Sequence, residues 1–195
     1  MSVEAASKSP SERPLRAGFV STVGPYIHPD VWDEFSSIPP IEQEHSSDLS
    51  PENKRSESFY MCIGIIITGI DAESDNPVSF LMHFSPLVHF SDEKKKGAKQ
   101  DPLQKAFLED FAKKVAAFKK AVKPGTMSAV VIGGHTPDID AYNRAVDALG
   151  KVLQKGTGVA LEVASRPSEE GGFTHVYVDT KNKRIHIVRA DPPRK

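Results

Sequence analysis

The chain has a single cysteine, Cys62, among 195 residues. It can form no internal disulfide, which excludes the small scaffolds stapled by several bridges. No apolar run approaches the roughly 18 residues of a membrane-crossing helix. The N-terminus has no basic segment followed by an apolar stretch, so no conventional signal peptide is visible. The expected location is the cytoplasm, or outside the cell by a route that needs no such signal. The net charge is only -1, too balanced to suggest a nucleic-acid or membrane-surface binder. None of the seven histidines falls in a His-x-x-x-His pair of the zinc-peptidase kind. Neither a phosphate loop with its Lys-Ser or Lys-Thr pair nor a dinucleotide fingerprint occurs. No motif for a metal or organic cofactor is visible in these patterns. The oligomeric state is left open.

What is present divides at about residue 57. Residues 1–57 hold seven of the fifteen prolines, and ten Asp and Glu against five Lys and Arg. They read as a polar N-terminal extension, with residues 1–15 disordered. Phe19, Val20, Tyr26, Ile27, Trp32 and Phe35 are expected to anchor part of it. The stretch from Ser36 to Ser58, with Pro39–Pro40, reads as a long polar loop.

Residues 58–191 read as one domain. The run "FYMCIGIIITGI" is isoleucine-rich and short, hence a buried strand, and "VSFLMHFSP" is a second strand stopped by Pro86. Leu103, Phe107, Phe111, Val115, Phe118 and Val122 recur at three- and four-residue spacing, which predicts a helix over 101–122. A strand "MSAVVIGG" follows. A second helix over 138–154 buries Ile139, Tyr142, Val146, Leu149 and Leu153. The strand "GVALEVAS" and the hairpin "FTHVYVD"–"RIHIVRA" complete the order β-β-α-β-α-β-β-β. The fold class is α/β: a layered β core, as a mixed sheet or paired sheets, with two main helices on one side.

Cys62 sits inside the first of these strands. A lone cysteine there is either a small buried hydrophobe or a nucleophile, which needs a base within reach. The next strand offers His83 among Phe80, Leu81, Met82 and Phe84. Pairing of the two strands would put Cys62 and His83 side by side. Ser56 or Ser58, just before the cysteine strand, could orient the imidazole. In "VVIGGHTPDID", two glycines between a strand and a helix allow close approach to a ligand, or simply a tight turn with Asp138 at the helix start. Residues 91–123 carry ten Lys or Arg against five acids. Such a run is a solvated face or a docking surface for an acidic partner.

These residues, in this order, resemble the CheD family of chemoreceptor glutamine deamidases and the related cysteine–histidine deamidase domains of toxins. The family has a catalytic cysteine in the first strand, a threonine six residues earlier, and a histidine in a strand that ends in proline. Cys62, Ser56, and His83 in "MHFSP" occupy those places. "AVVIGGH", the Ile139 and Asn143 of "DIDAYN", and "VALEVASRPSEEGGFTHVYVDTKNKRIHIVRA" continue the family order over about residues 56–190. Where the family has a Gly-Ser pair before the cysteine, this chain has Tyr60–Met61. The resemblance implies a protein-glutamine deamidase with Cys62 as nucleophile, His83 as base and Ser56 orienting it. It needs no cofactor and acts on a protein substrate, as a host-directed effector or otherwise. A non-catalytic interaction domain of the same fold is the alternative.

Overall fold

The isoleucine run anticipated as a central strand lies in the middle of a five-stranded sheet in the computed structural model, which describes residues 11–24, 29–91, 101–133, 138–165 and 173–190. In chain order the elements are β1 (Ser11–Pro14), β2 (Val20–Gly24), α1 (Pro29–Ser36), β3 (His45–Ser46), β4 (Lys54–Phe59), β5 (Ile63–Ile70), β6 (Pro77–Phe84), α2 (Pro86–Phe90), α3 (Pro102–Ala121), β7 (Ser128–Gly133), α4 (Ile139–Thr157), β8 (Leu161–Ser165), β9 (Phe173–Asp179) and β10 (Arg184–Ala190), with a single 3-10 turn at Arg16–Gly18. The strands form two five-stranded sheets, ordered β3-β6-β5-β7-β8 and β1-β2-β10-β9-β4. The architecture is α/β, with layered sheets and two long helices.

β5 is buried on both faces, which is why its sequence is continuously apolar rather than alternating. Ile63, Ile65 and Ile67 face α3 and α4, where they meet Phe80, Phe111, Val115, Leu149 and Leu153. Ile66 faces the other sheet, with Leu81, Val130, Ile132, Val176, Val178, Ile185 and Ile187. Asp101 caps α3 by accepting from the Leu103 amide, and Asp138 caps α4 by accepting from Ala141. α4 ends at Gly158, whose φ of 76° is the left-handed cap that glycine supplies without strain. Leu103 and Ile139, expected on the buried faces, are exposed. Both stand in the first turn of their helix, before the stretch whose side chains reach the sheet.

Three expectations are corrected. The segment from Ser58 to Asp71 is not one strand: Phe59 ends β4 in one sheet and Ile63 begins β5 in the other, so the chain changes sheets across Tyr60, Met61 and Cys62. The proline-rich segment is not a loose extension. β1, β2 and β4 supply three of the five strands of the second sheet, with β2 parallel to β10. Within the stretch expected to be disordered, residues 11–14 form β1; residues 1–10 lie outside the described residues. Phe19 and Phe35 are fully buried, and Phe35 packs with Tyr177 and Val188 on the outer face of that sheet. Trp32 is half-exposed and meets Tyr177 edge-on. Tyr26 and Ile27, also expected to anchor, lie outside the described residues.

The edge of the sheet pair is closed by polar contacts. Lys54 on β4 is buried, and its three ammonium hydrogens are shared among the Ser50 carbonyl (3.2 Å), Ser50 Oγ (3.1 Å), the Glu52 carbonyl (2.8 Å) and Ser79 Oγ on β6 (3.2 Å). Ser79 in turn shares a 2.6 Å hydrogen bond with Thr180. Burial lowers the Lys54 pKa to about 8. The unfolded chain therefore binds more protons than the folded one between that value and the ordinary lysine value of 10.5. The penalty of burying the ammonium is fully present below pH 8 and disappears as pH rises through this window. Lys54→Met should destabilise the fold by about 2 kcal/mol near pH 7, since it strands buried oxygens without a donor. The gap to wild type, read by urea denaturation, should widen between pH 8 and 10.5 because the variant lacks the alkaline gain.

Candidate functional site

The register of β5 against β6 pairs Ile63 with Phe84 and Gly64 with His83. Alternate residues share a face, so His83, Leu81 and Gly64 point between the sheets. Cys62, one residue before the ladder begins, belongs to the buried cluster between the sheets that also holds Phe59, Ile66 and Leu81. Cys62 and His83 thus stand on one face of the sheet, displaced along it, at the end where the chain crosses over. The flanking Tyr60, Met61 and Phe173 are exposed, and the Tyr60 and Phe173 rings lie 5.5 Å apart. Cys62 itself is 7% exposed.

His83 is held from the opposite sheet. Ser56 on β4 faces inward, and its Oγ lies 2.9 Å from His83 Nδ1. The Ser56 hydroxyl donates its one proton to the Ile41 carbonyl at 2.5 Å. It must then accept from the ring, so Nδ1 carries the hydrogen. The Ile41 carbonyl nearby favours the protonated form of the imidazole. The tautomer is therefore fixed: Nε2 bears the lone pair. Nε2 is buried and has no hydrogen-bond partner among the described residues. Phe59 stacks on the ring with centroids 3.9 Å apart. Gly64 leaves room for that ring, since a Cβ there would come within 3.0 Å of Phe59 and 2.7 Å of Ile132.

The electrostatics keep both groups neutral at rest. Burial, reinforced by the Glu44 carboxylate, pushes the Cys62 thiol up to about 11, against a smaller opposing hydrogen bond from the Met61 backbone. Burial pushes His83 down to about 4, only partly offset by the Ile41 carbonyl and Glu44. Burial thus disfavours the thiolate of Cys62 and the imidazolium of His83 alike.

The structure brings together Ser56 and His83, and places Cys62 on the same face. Of the two serines considered for orienting the ring, Ser56 meets it; Ser58 is exposed, at a φ of 58°, and its amide donates to His175 Nδ1. Two contributors were not foreseen, Ile41 and Glu44, both in the stretch read as a polar loop. Glu44, at a φ of 64°, accepts from the Ser85 amide (2.8 Å) and pairs with His89 Nε2 (2.7 Å). It stands beside a groove of about 360 Å³ that His83, Phe84, His89 and Phe107 also line. Nothing in the spacing of "IEQEH" marks Glu44, because its role depends on a loop laid along the edge of β6. Gly134 of the glycine pair, His135 after it, and the lysines at 94–99 lie outside the described residues. Among the described residues no group of three or more His, Cys, Asp or Glu could hold a metal ion. No helix among them is long and apolar enough to cross a membrane.

No protein-family model matches the chain, and no curated protein matches its sequence.

The depressed His83 pKa carries a stability signature. The unfolded chain takes up the proton near the ordinary value of 6.5, the folded chain only near 4. The stability due to the buried neutral ring is fully present above pH 6.5 and is lost as pH falls towards 4. In His83→Gln, denaturation midpoints measured across this range should fall less steeply than in wild type.

Proposed function

We propose that this protein is a protein-glutamine deamidase in which Cys62 is the nucleophile, His83 the base and Ser56 the positioning residue. One observation carries the reading: the ring is anchored through Nδ1, leaving the Nε2 lone pair unpartnered on the sheet face that Cys62 shares. A histidine that served only packing would gain from satisfying both nitrogens. The resemblance of Cys62, Ser56 and "MHFSP" to the CheD-type deamidases supports the same assignment of roles.

The chemistry follows from the resting state. With both groups neutral, the thiol proton passes to His83 Nε2 as sulfur attacks the carboxamide carbon of a glutamine side chain. A C–S bond forms and the carbonyl electrons move to oxygen, beside the backbone amides of the crossover at Met61 and Cys62. Imidazolium then returns its proton to nitrogen, the C–N bond breaks and ammonia leaves. Water attacks the thioester with Nε2 taking its proton, and the C–S bond breaks to give glutamate and the thiol. Ser56 stabilises the transient imidazolium by accepting from the Nδ1–H that it retains, and the Ile41 carbonyl, which accepts from Ser56, favours the protonated ring. The exposed Tyr60 and Phe173 rings offer a rim against which a protein substrate would rest.

The raised thiol favours a second reading, an interaction domain in which Cys62 is only core. Native-state alkylation separates the two. If His83 acts as base, iodoacetamide labels Cys62 near pH 7 faster than a thiol of pKa about 11 allows unaided, and His83→Gln removes the excess. If Cys62 is only core, labelling tracks the thiolate alone and His83→Gln leaves it unchanged. For the reaction itself, peptide mass spectrometry of substrate-containing lysate should show glutamine converted to glutamate by wild type. Cys62→Ser should lower that conversion at least ~10³-fold with the fold preserved. Equal conversion by both proteins refutes the assignment.

A further inference from the structure

The opposite end of the helix-covered sheet, roughly 25 Å along β5 from Cys62 at strand spacing, holds a cavity that the proposed deamidase chemistry does not use. Its floor is apolar: Val122, Met127 and Val159 are all nearly buried. Its rim is cationic, with Arg16, Lys119 and Lys123. The three come from separate places. Lys119 is in the last turn of α3, Lys123 lies just beyond that helix, and Arg16 is delivered by the 3-10 turn. Arg16 is fixed on the rim because its backbone amide donates to Ser128 Oγ on β7 at 2.8 Å. Lys123 pairs with Asp75. Arg16 and Lys119 form no ion pair among the described residues, and their side chains are free to turn inward.

Lysines near a helix C-terminus ordinarily complement the helix dipole, which accounts for Lys119. It does not account for Arg16, which belongs to another segment, or for the apolar concavity beneath the charges. The cavity volume is about 190 Å³, the share of about six liquid waters at ~30 Å³ each. That admits a small molecule and no folded partner. Gly125, at a φ of 79°, carries the loop past the mouth, with nothing within 4 Å of where a side chain would begin. We propose that this cavity binds a small amphipathic carboxylate, its anionic head between Arg16 and Lys119 and its short apolar body on Val122, Met127 and Val159. An inorganic anion would leave the floor unused, and a neutral apolar molecule would leave the cations unused. Only a ligand with both features uses the whole site.

The test is a titration of the full chain by ¹H–¹⁵N NMR with hexanoate, hexanol and inorganic phosphate as probes. Hexanoate should give saturable shifts at the Gly125, Thr157 and Val159 amides with a Kd on the order of 1 mM. Hexanol and phosphate should each bind about tenfold more weakly or not at all. Arg16→Gln and Lys119→Gln, which alter exposed side chains, should each weaken hexanoate by about tenfold while leaving distant amides in place. Absence of saturable shifts, equal binding of hexanol or phosphate, or wild-type affinity in both variants would overturn the proposal. None of these outcomes depends on Cys62, so the site stands or falls apart from the deamidase assignment.

Discussion

The hydrogen bond from His83 to Ser56 joins two sheets that share no backbone ladder. β6 and β4 belong to different sheets, and where they approach they are stitched by polar side chains in two places, Lys54 to Ser79 and Ser56 to His83. Between sheets packed through aliphatic side chains, such contacts fix relative position in a way that non-directional hydrophobic burial does not. The Ser56 contact also decides the tautomer, and with it which ring nitrogen keeps a lone pair. The Ser56–His83 bond thus contributes to the alignment of the sheets and also sets which ring nitrogen keeps the lone pair.

The loop between α1 and β4 makes the seam possible. β6 would otherwise be an open edge, a liability for pairing with other chains. β3 pairs with His83 and Met82. Ser47 exchanges hydrogen bonds with the Leu81 backbone, and Ser50 bridges Ser79. The same loop supplies the Ile41 carbonyl to Ser56 and the Glu44 carboxylate beside the groove. Edge protection and the electrostatic setting of the Cys62–His83 pair therefore come from one stretch of chain, rich in Pro, Ser and Glu.

The sequence was most legible where burial imposes a period. The stripes at Phe111, Val115 and Phe118 and at Tyr142, Leu149 and Leu153 locate the long helices, and the isoleucines locate β5. The break at Tyr60–Met61–Cys62 was hidden because the residues on both sides are apolar, and apolar continuity does not reveal that a strand has changed sheets. β1 was hidden because an edge strand carries polar residues and even proline, as Pro14 does, without violating its environment. The approach of Ser56 to His83 was accessible only as one of two candidate serines. Choosing between them needed the left-handed turn at Ser58, which no residue type announces. Glu44 was beyond reach, because its neighbours lie some forty residues away along the chain in β6 and α2, at Ser85 and His89.

The parallel pairing of β2 with β10 has a consequence for the order in which the molecule is built. Synthesis runs from the N-terminus, so residues 20–24 leave the ribosome long before residues 184–190, with which they form a parallel ladder. β4 waits in the same way, since its one strand partner is β9. The helix-covered sheet suffers no such delay, because all its strands lie between residues 45 and 165. A nascent chain can assemble that sheet first and then hold Cys62 and His83 with the opposing layer still unpaired. Ser56 is the member that arrives last. His83 therefore takes its place in the sheet before its tautomer is chosen, and the lone pair settles on Nε2 only when the final hairpin docks and brings Ser56 to Nδ1.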